Sequence, residues 1–388
     1  MICLDEAERL IRAAARPLGV ETVALKDARN RTLAVSLVAT RCAPETAVSA
    51  MDGYAVRTAD LDQGALRVVG ESRAGGGYGG DLPPGGAVRI FTGAPAPRGA
   101  DRVIMQEDAR VRDGLVTLVS PCTTKTHIRP PGSDFATGDV LAPAGLRLTP
   151  QALVAAAAAN RAAVEVWRRP RVAILSTGDE LAAPGEAAPG QIPESVSLGA
   201  AAIVEQWGGS VVRCARLPDK LPLLQDAARK AADEDLIVVT GGASVGDYDF
   251  ARQMFSDLEI IIPKVAIRPG KPVWMGRSGS AVILGLPGNP TAAMVTARLL
   301  LAPLVAGLSG RSPCEALKWR SDVLAVSLPS NGERETFLLG RAAPKGVEVL
   351  TRQDSSGQKA LAMTSLLVRR PPGAAPAEPG QTIDVLEF

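Results

Sequence analysis

The chain has 388 residues, of which 46% are hydrophobic and 22% charged, so it is long enough for roughly two to four domains and disorder throughout is excluded. Its 43 basic and 41 acidic residues give a net charge of +2 with no block of like charge, which argues against a nucleic-acid binder. The single histidine, His127, excludes a zinc site with two or three histidine ligands. Five scattered cysteines without a CxxC pair indicate a reducing, cytoplasmic compartment.

The first half of the chain predicts a helical segment interrupted by a small β-rich one. Residues 1–40 begin with an acidic amphipathic helix that lacks the basic start and apolar centre of a signal peptide. Residues 41–134 contain short β-type runs between Gly/Pro clusters, which is typical of a small antiparallel β domain. Residues 135–168 return to helix, with Thr149 as N-cap and Pro150 at the first helical position. We therefore expect 1–40 and 135–168 to form one helical/linker domain.

The second half predicts an α/β domain followed by another β region. In residues 169–309, apolar strands alternate with helical stretches, which is the pattern of a doubly wound parallel sheet. Residues 310–388 contain several β-type runs and predict a C-terminal β-barrel-like domain. The apolar stretch at 152–159 is too short to cross a membrane, so no membrane span is expected. The predicted fold class is therefore multidomain, α/β plus β.

The loop after the apolar strand at 235–240 carries the strongest indication of ligand chemistry. It combines two glycines, a serine and two aspartates, namely Gly241, Gly242, Ser244, Asp247 and Asp249. Glycines allow successive backbone N–H groups to point at a phosphate, and the carboxylates could hold a divalent cation that bridges it. The alternative is a glycine-rich turn in which Asp247 caps the following helix.

Three further loops of the α/β domain have a similar character. The first strand is followed by a carboxylate pair at 179–180, which suits metal or base chemistry or else caps the surface. The loop 287–289 precedes a helix whose free N–H groups form a second anion site, or is only a well-capped helix start. Arg268 and Lys271 lie in a proline-rich turn that suits a polyanion, or is a solvated basic turn. Together these loops favour a phosphate-rich ligand.

Seven motifs occur along the chain in a fixed order: SAMDGYA, FTGAPAPRGAD, HIRPPGSD, STGDEL, TGGASVGDYD, RPGKP and GLPGNP. This set resembles the molybdopterin molybdenumtransferase family (MoeA), which is equivalent to the E domain of gephyrin. The resemblance covers roughly residues 1–310 and includes a MogA-like α/β domain. The single-domain molybdopterin adenylyltransferases share TGG and PGNP but lack the β domain that carries MDGYA.

The resemblance implies an enzyme that inserts molybdenum from molybdate into adenylylated molybdopterin, with Mg²⁺-dependent release of AMP. It implies a cytoplasmic homodimer whose active site lies where the α/β domain of one subunit meets the β domain of the other. A molybdopterin adenylyltransferase and molybdoenzyme-specific chaperones are the further partners to expect, and neither nucleic acid nor a membrane is.

Matching motif to motif assigns residues to these roles. The catalytic residues implied are Asp52, Glu180, Asp247, Asp249 and Lys271. Three of them, Glu180, Asp247 and Asp249, would bind Mg²⁺. Substrate binding falls to Thr92, Arg129, Asp134, Asp219, Gly241, Gly242, Ser244, Arg268, Pro287, Gly288 and Asn289. Of the full set, Asp52, Thr92, Arg129 and Asp134 belong to the β-rich domain, and Thr92, Arg129 and Lys271 suit an oxyanion such as molybdate.

The chain departs from the usual family pattern at several motif positions. Residues 194–196 read Glu-Ser-Val where the family has Asp-Ser/Thr-Asn, which removes an amide beside the predicted site. Arg268 replaces a lysine, Ser133 an acidic residue and His127 an asparagine. The alternative function is therefore a non-catalytic or diverged scaffold that binds molybdopterin. The retained carboxylates argue for chemistry, because a scaffold does not need them.

Overall fold

A computed structural model describes residues 1–121, 124–241 and 250–388. Its α/β unit is built on a six-stranded sheet. In chain order these strands are β1 (Arg171–Thr177), β2 (Ser210–Leu217), β3 (Leu236–Thr240), β4 (Glu259–Ile262), β5 (Trp274–Ser278) and β6 (Ala281–Leu286). Across the sheet the order is β2-β1-β3-β6-β5-β4, with the first four strands parallel and β5 antiparallel to both of its neighbours.

The strand order creates a crevice at one edge of this sheet. The chain passes from β1 to β2 on one side and then to β3 on the other side of β1, so the strand order reverses between β1 and β3. Doubly wound folds bind ligands at such a point, outside the carboxyl ends of the strands. The end of β4 and the start of β5 lie at the same edge, because β5 runs antiparallel. The strand ends next to the candidate loops of the α/β unit therefore all lie at one edge of the sheet.

Helices cover both faces of this sheet, and the N-terminal helix is one of them. The described helices of the unit are Leu4–Ala14, Val196–Gln206, Leu221–Lys230, Phe250–Gln253 and Pro290–Leu308, the last with a π turn at Ala297–Leu301. The first was expected with the linker residues, but its buried side chains Leu4, Ala7 and Ile11 lie in the α/β core. The residues before this helix are also attached to the unit, because the Ile2 N–H donates to the carbonyl of Lys264 at 3.0 Å.

One helix of the described residues, Pro290–Leu308, is long and apolar enough to span a membrane by length and composition. This stretch is longer than the apolar segment considered from the sequence. It is 94% buried inside the protein and belongs to the α/β core.

The linker region forms a small unit of its own. Its strands pair antiparallel, Val20–Ala24 with Ala163–Trp167 and Leu37–Val38 with Val140–Ala142. The predicted helix start is confirmed: helix Pro150–Ala158 begins after Thr149, whose Oγ1 accepts from the Ala152 N–H at 3.3 Å. Leu33, Leu148 and Val166 form the centre of its core.

The β-rich region is a second six-stranded sheet. Its order is Arg102–Met105, Gly53–Val56, Gly86–Ile90, Ala65–Ser72, Leu115–Leu118 and Ala109–Arg112. The expectation of a wholly antiparallel domain is wrong at one pair, because Ala65–Ser72 and Gly86–Ile90 are parallel. The glycine-rich connection 73–85 explains this, since it is long enough to return the chain to the same edge before the next strand.

The C-terminal region is a curled sheet that also includes a strand from the α/β unit. The strand order is Ile267–Arg268, Glu335–Ala343, Leu366–Arg370, Thr382–Glu387 and Arg320–Val323, with Gly346–Val349 beside the second strand. The short helices Pro313–Ala316 and Gln358–Ala362 lie in the same part of the chain, and Ala316 of the first packs in the α/β core. A bridge between Leu324 and Val347 joins the two ends of the sheet, which makes it barrel-like as predicted. Arg268 pairs with Thr336, so the proline-rich turn that carries Arg268 and Lys271 is attached to this sheet.

Candidate active site

A cavity of about 620 Å³ lies at the carboxyl edge of the α/β sheet, and we call it the edge cavity. Its lining comes from the loops that follow β1, β2, β3, β4 and β6 and from the C-terminal region. The predicted residues that line it are Glu180, Asp219, Gly241, Lys271, Pro287, Gly288 and Asn289. These residues come from five separate parts of the chain, and the strand order brings them to one cavity.

Charge is separated along this cavity. Glu180 and Asp219 follow β1 and β2 on one side of the sheet. Lys264 follows β4 and Lys271 precedes β5, on the other side. Neither lysine forms an ion pair with a carboxylate of the residues that the structure describes. The cavity therefore offers carboxylate oxygens at one end and two ammonium groups at the other.

Asp219 is held in a setting that disfavours its charge. Burial, followed by the negative charges of Asp179 and Glu180, raises the pKa of the Asp219 carboxyl above its ordinary value. Its backbone N–H donates to Asp179 Oδ1 at 3.1 Å, which ties the loops after β1 and β2 together. Its own Oδ1 is buried without a hydrogen-bond partner among the described residues. A cation or a proton donor from a ligand would relieve this arrangement.

Gly241 at the crevice is required by close approach. A Cβ on Gly241, whose φ is +86°, would lie 2.3 Å from the carbonyl oxygen of Thr177, so no side chain fits between the ends of β1 and β3. A Cβ on Gly288 would lie 3.5 Å from Gly241 Cα, which is an ordinary contact distance, so the loop after β6 packs beside Gly241 without requiring a glycine. Four other predicted residues, Gly242, Ser244, Asp247 and Asp249, lie outside the described residues.

The loop at 287–289 differs from its prediction in one respect. Asn289 occupies the N-cap position of the helix that begins at Pro290, but its side chain does not cap that helix. It donates instead to Ser355 Oγ at 3.3 Å, and Ser355 O accepts from the Ala292 N–H at 3.2 Å. The expected free amides at this helix start are thus partly satisfied by the C-terminal region.

A second cavity, of about 570 Å³, adjoins the first, and we call it the cationic cavity. The two share Lys271, Pro272, Pro287 and Asn289. The cationic cavity is also lined by three arginines, Arg268, Arg334 and Arg370. Of these, only Arg268 was identified from the sequence. Asn331, Ser355 and Asp354 also line it, so four cationic side chains share the space with one carboxylate, a balance that suits an anion.

The four predicted residues of the β-rich unit form a separate group, because short pairings there join their motifs. Ile128–Arg129 pairs with Val48–Ser49, and the Gly93 N–H donates to the carbonyl of Ser49 at 2.8 Å. None of Asp52, Thr92, Arg129 and Asp134 is among the described residues that line either cavity. Within one chain, the two predicted halves of the site therefore remain apart.

Asp52 is pre-organised on this β-rich surface. Its Oδ1 accepts from the Thr92 N–H at 2.7 Å and from Thr92 Oγ1 at 2.8 Å. These hydrogen bonds, the backbone one first, hold the pKa of the Asp52 carboxyl below its ordinary value. Nearby, the guanidinium of Arg89 lies against the rings of Tyr54 and Phe91 and donates to the Gly53 carbonyl at 3.1 Å. The result is a fixed carboxylate at an open surface.

Residue 194, one of the departures, is a buried carboxylate. Glu194 accepts from Ser197 N–H at 2.9 Å, from Ser197 Oγ and from Ser176 Oγ at 3.3 Å, and Ser176 Oγ accepts from Thr240 Oγ1 at 3.0 Å. This chain of hydrogen bonds joins the ends of β1 and β3 beneath the edge cavity. Val196, at the position of the missing amide, is buried in the cavity wall.

Comparison with known proteins identifies this arrangement. Residues 2–160 match the MoeA N-terminal region (domain I and II), and residues 173–307 match a probable molybdopterin binding domain. A molybdopterin molybdenumtransferase of Haemophilus influenzae is 37% identical over 346 residues, which cover 88% of this chain and 86% of the relative. The chain belongs to the MoeA family.

Further matches agree with this MoeA assignment. A molybdopterin molybdenumtransferase of Nostoc sp. is 37% identical over 337 residues, covering 82% of this chain and 76% of the relative. A MoeA protein of Pyrococcus horikoshii OT3 has the same fold, with a TM-score of 0.86 over 100% of both chains at 24% identity. The fold predicted from the sequence and the family resemblance are therefore confirmed.

Proposed function

We propose that the chain is a molybdopterin molybdenumtransferase that transfers molybdenum from molybdate to adenylylated molybdopterin and releases AMP. The observation that carries the proposal is the pair of adjoining cavities that share Lys271, one with separated charges and the other cationic. A two-substrate reaction in which both substrates are anionic needs two such neighbouring sites.

The edge cavity suits the adenylylated substrate. Lys264 and Lys271 would neutralise its phosphates, and the glycine loops at Gly241 and Gly288 leave room for the backbone to approach them. At the other end, the Glu180 and Asp219 carboxylates fit Mg²⁺, which commonly takes one or two carboxylates together with substrate phosphates and water. Asp219 Oδ1, buried and unpartnered among the described residues, supports that fit. Bound Mg²⁺ would neutralise charge on the phosphoanhydride.

These two carboxylates agree only partly with the metal set predicted from the sequence. No group of three or more ligand residues among the described ones could hold a metal alone. Glu180 belongs to both sets, whereas Asp247 and Asp249 lie outside the described residues. Asp219, assigned to substrate binding by the family resemblance, takes a metal-binding role in this proposal.

The cationic cavity suits molybdate. Arg268, Arg334 and Lys271 carry positive charge around a space next to the shared wall at Pro287. Lys271 lines both cavities, so it can contact an oxyanion in one and a phosphate in the other. In this proposal Lys271 keeps the molybdate role predicted from the sequence, and Thr92 and Arg129 act from the β-rich unit.

A homodimer would complete the site. The Asp52–Thr92 pair is formed in advance at an open surface and lines neither cavity of its own chain. We propose that this pair reaches the partner subunit's site at the wall shared by the two cavities, next to Lys271, in a cytoplasmic dimer. Supply of substrate by a molybdopterin adenylyltransferase and delivery of product to molybdoenzyme-specific chaperones belong to the same proposal.

The test is AMP release from adenylylated molybdopterin by the purified protein, with Mg²⁺ and molybdate each omitted in turn. Release that requires both ions supports the proposal. Tight binding without release would instead support the scaffold alternative. Lys271→Ala should abolish release, whereas Lys318→Ala, which removes a lysine that lines neither cavity, should leave it unchanged.

A further inference from the structure

Thr177 carries a buried hydroxyl with no assigned role. The residue ends β1, is only 3% exposed and lines the edge cavity. Its Oγ1 has no hydrogen-bond partner among the residues that the structure describes. Buried hydroxyls are nearly always paired, because an unpaired one forfeits its hydrogen bond to water.

The neighbouring residue shows what a structural hydroxyl looks like at this place. Ser176 is 1% exposed and fully paired: it donates to Glu194 at 3.3 Å and accepts from Thr240 Oγ1 at 3.0 Å. Successive side chains of a strand point to opposite faces, so Ser176 and Thr177 have different surroundings. The hydroxyl of Ser176 is satisfied by the protein, whereas that of Thr177 is unpaired among the described residues and belongs to a residue that lines the cavity.

Gly241 packs directly over this hydroxyl. A Cβ on Gly241 would lie 3.2 Å from Thr177 Oγ1, so a larger residue at 241 would cover it. Thr177 stands between the Asp219 loop and the Gly241 loop, at the centre of the crevice. A ligand that extends from the Glu180 and Asp219 carboxylates to Lys264 and Lys271 must pass Thr177.

We propose that the Thr177 hydroxyl donates a hydrogen bond to a phosphoryl oxygen of the ligand in the edge cavity. This inference rests on the proposed function for the identity of the ligand. It assigns a binding role to a residue that motif comparison did not select. A hydroxyl is suited to the central position, because it adds a donor without adding charge between the acidic and basic ends.

The test uses two substitutions at this position and one beside it. Thr177→Val keeps the shape and removes the hydroxyl, Thr177→Ser keeps the hydroxyl, and Ser176→Ala removes the paired neighbour. Thermal unfolding and calorimetric binding of AMP and of pyrophosphate are measured for each. Thr177→Val should unfold at the same or a higher temperature than wild type and bind both probes about tenfold more weakly. Thr177→Ser should bind within about threefold of wild type, and Ser176→Ala should lose stability.

Two results for Thr177→Val would overturn the inference. Unchanged binding of pyrophosphate would show that the hydroxyl does not contact the ligand, and a clear loss of stability would show that it has a structural partner. The probes also separate this inference from the proposed function. If wild-type protein binds pyrophosphate but neither binds nor releases AMP, the proposal of an adenylylated substrate is contradicted. The role of Thr177 is then still tested by the binding of pyrophosphate to the variants. Wild-type protein that binds neither probe would overturn both.

Discussion

Asn289 donates its side-chain amide to the hydroxyl of Ser355, 3.3 Å away, instead of capping the helix that it precedes. The contact links the loop after β6 to the C-terminal region. Asn289 lines both cavities, whereas Ser355 is among the lining residues of the cationic cavity only. The pair therefore stands at the boundary between the two proposed substrate sites.

Ser355→Ala should affect one substrate more than the other. Loss of the hydroxyl removes one hydrogen bond from the cationic cavity, so half-maximal AMP release should need about two- to tenfold more molybdate. The KM for adenylylated molybdopterin should stay the same in this variant. Asn289→Ala, which changes a residue of both cavities, should weaken the use of both substrates. Ser327→Ala is the control, since that hydroxyl contacts Glu378 and lines neither cavity. Equal effects of Ser355→Ala on both substrates would contradict the division of sites.

Thr92→Val should uncouple Asp52 from its hydroxyl donor. The pKa of Asp52 lies below its ordinary value because of the Thr92 hydrogen bonds, so removing the hydroxyl should raise it toward that value. The stabilising contribution is present at neutral pH and is lost as pH falls through the lowered pKa. NMR titration of the Asp52 carboxyl measures the shift, and turnover should fall if Asp52 acts in the site.

The chain offers a matched control for that substitution. Thr58 bonds to Asp101 through its N–H and its hydroxyl, both at 2.8 Å, in the same β-rich unit. Thr58→Val should therefore cost similar stability without loss of turnover. A comparable loss of turnover in both variants would mean that the Asp52–Thr92 pair has only a structural role.

Asp219→Asn should stabilise the folded protein and at the same time reduce its enzymatic activity. The pKa of Asp219 is raised by burial and by Asp179 and Glu180, so its ionised form opposes folding once pH exceeds the ordinary aspartate pKa. The variant should unfold at a higher temperature at neutral pH, and the difference should vanish at acid pH, where the wild-type carboxyl is protonated. Mg²⁺-dependent AMP release should fall. Asp226→Asn should show the opposite stability change, since the hydrogen bond from Lys230 lowers the pKa of Asp226.

The features that sequence predicted well depend on local signals. The helix start at Thr149–Pro150 follows from the capping preferences of those two residues, and the strands of the α/β unit follow from their apolar runs. Gly241, Gly288 and Lys271 were found because each stands in a motif next to a strand end. Strand order then places these motifs together, as the rule for doubly wound sheets requires.

The features that sequence missed depend on contacts between distant parts of the chain. Arg334 and Ser355 belong to the C-terminal region, and the pairing of Ile267–Arg268 with Glu335–Thr336 brings that region to the turn that carries Arg268 and Lys271. Lys264 lies outside the recognised motifs, and its carbonyl is held by Ile2 at the other end of the unit. The spacing of hydrophobic residues along the chain carries no information about pairings between such distant segments.

Glu194→Ala tests whether the departure at this position stabilises the crevice. The carboxylate accepts three hydrogen bonds from Ser176 and Ser197, and all three residues are buried, so its removal leaves several donors unpaired. We expect a loss of about 2–4 kcal/mol in the free energy of unfolding, measured with urea. Glu186→Ala, at an exposed loop position, should change it by less than about 0.5 kcal/mol. A loss as small for Glu194→Ala as for Glu186→Ala would show that the buried chain of hydrogen bonds does not hold β1 and β3 together.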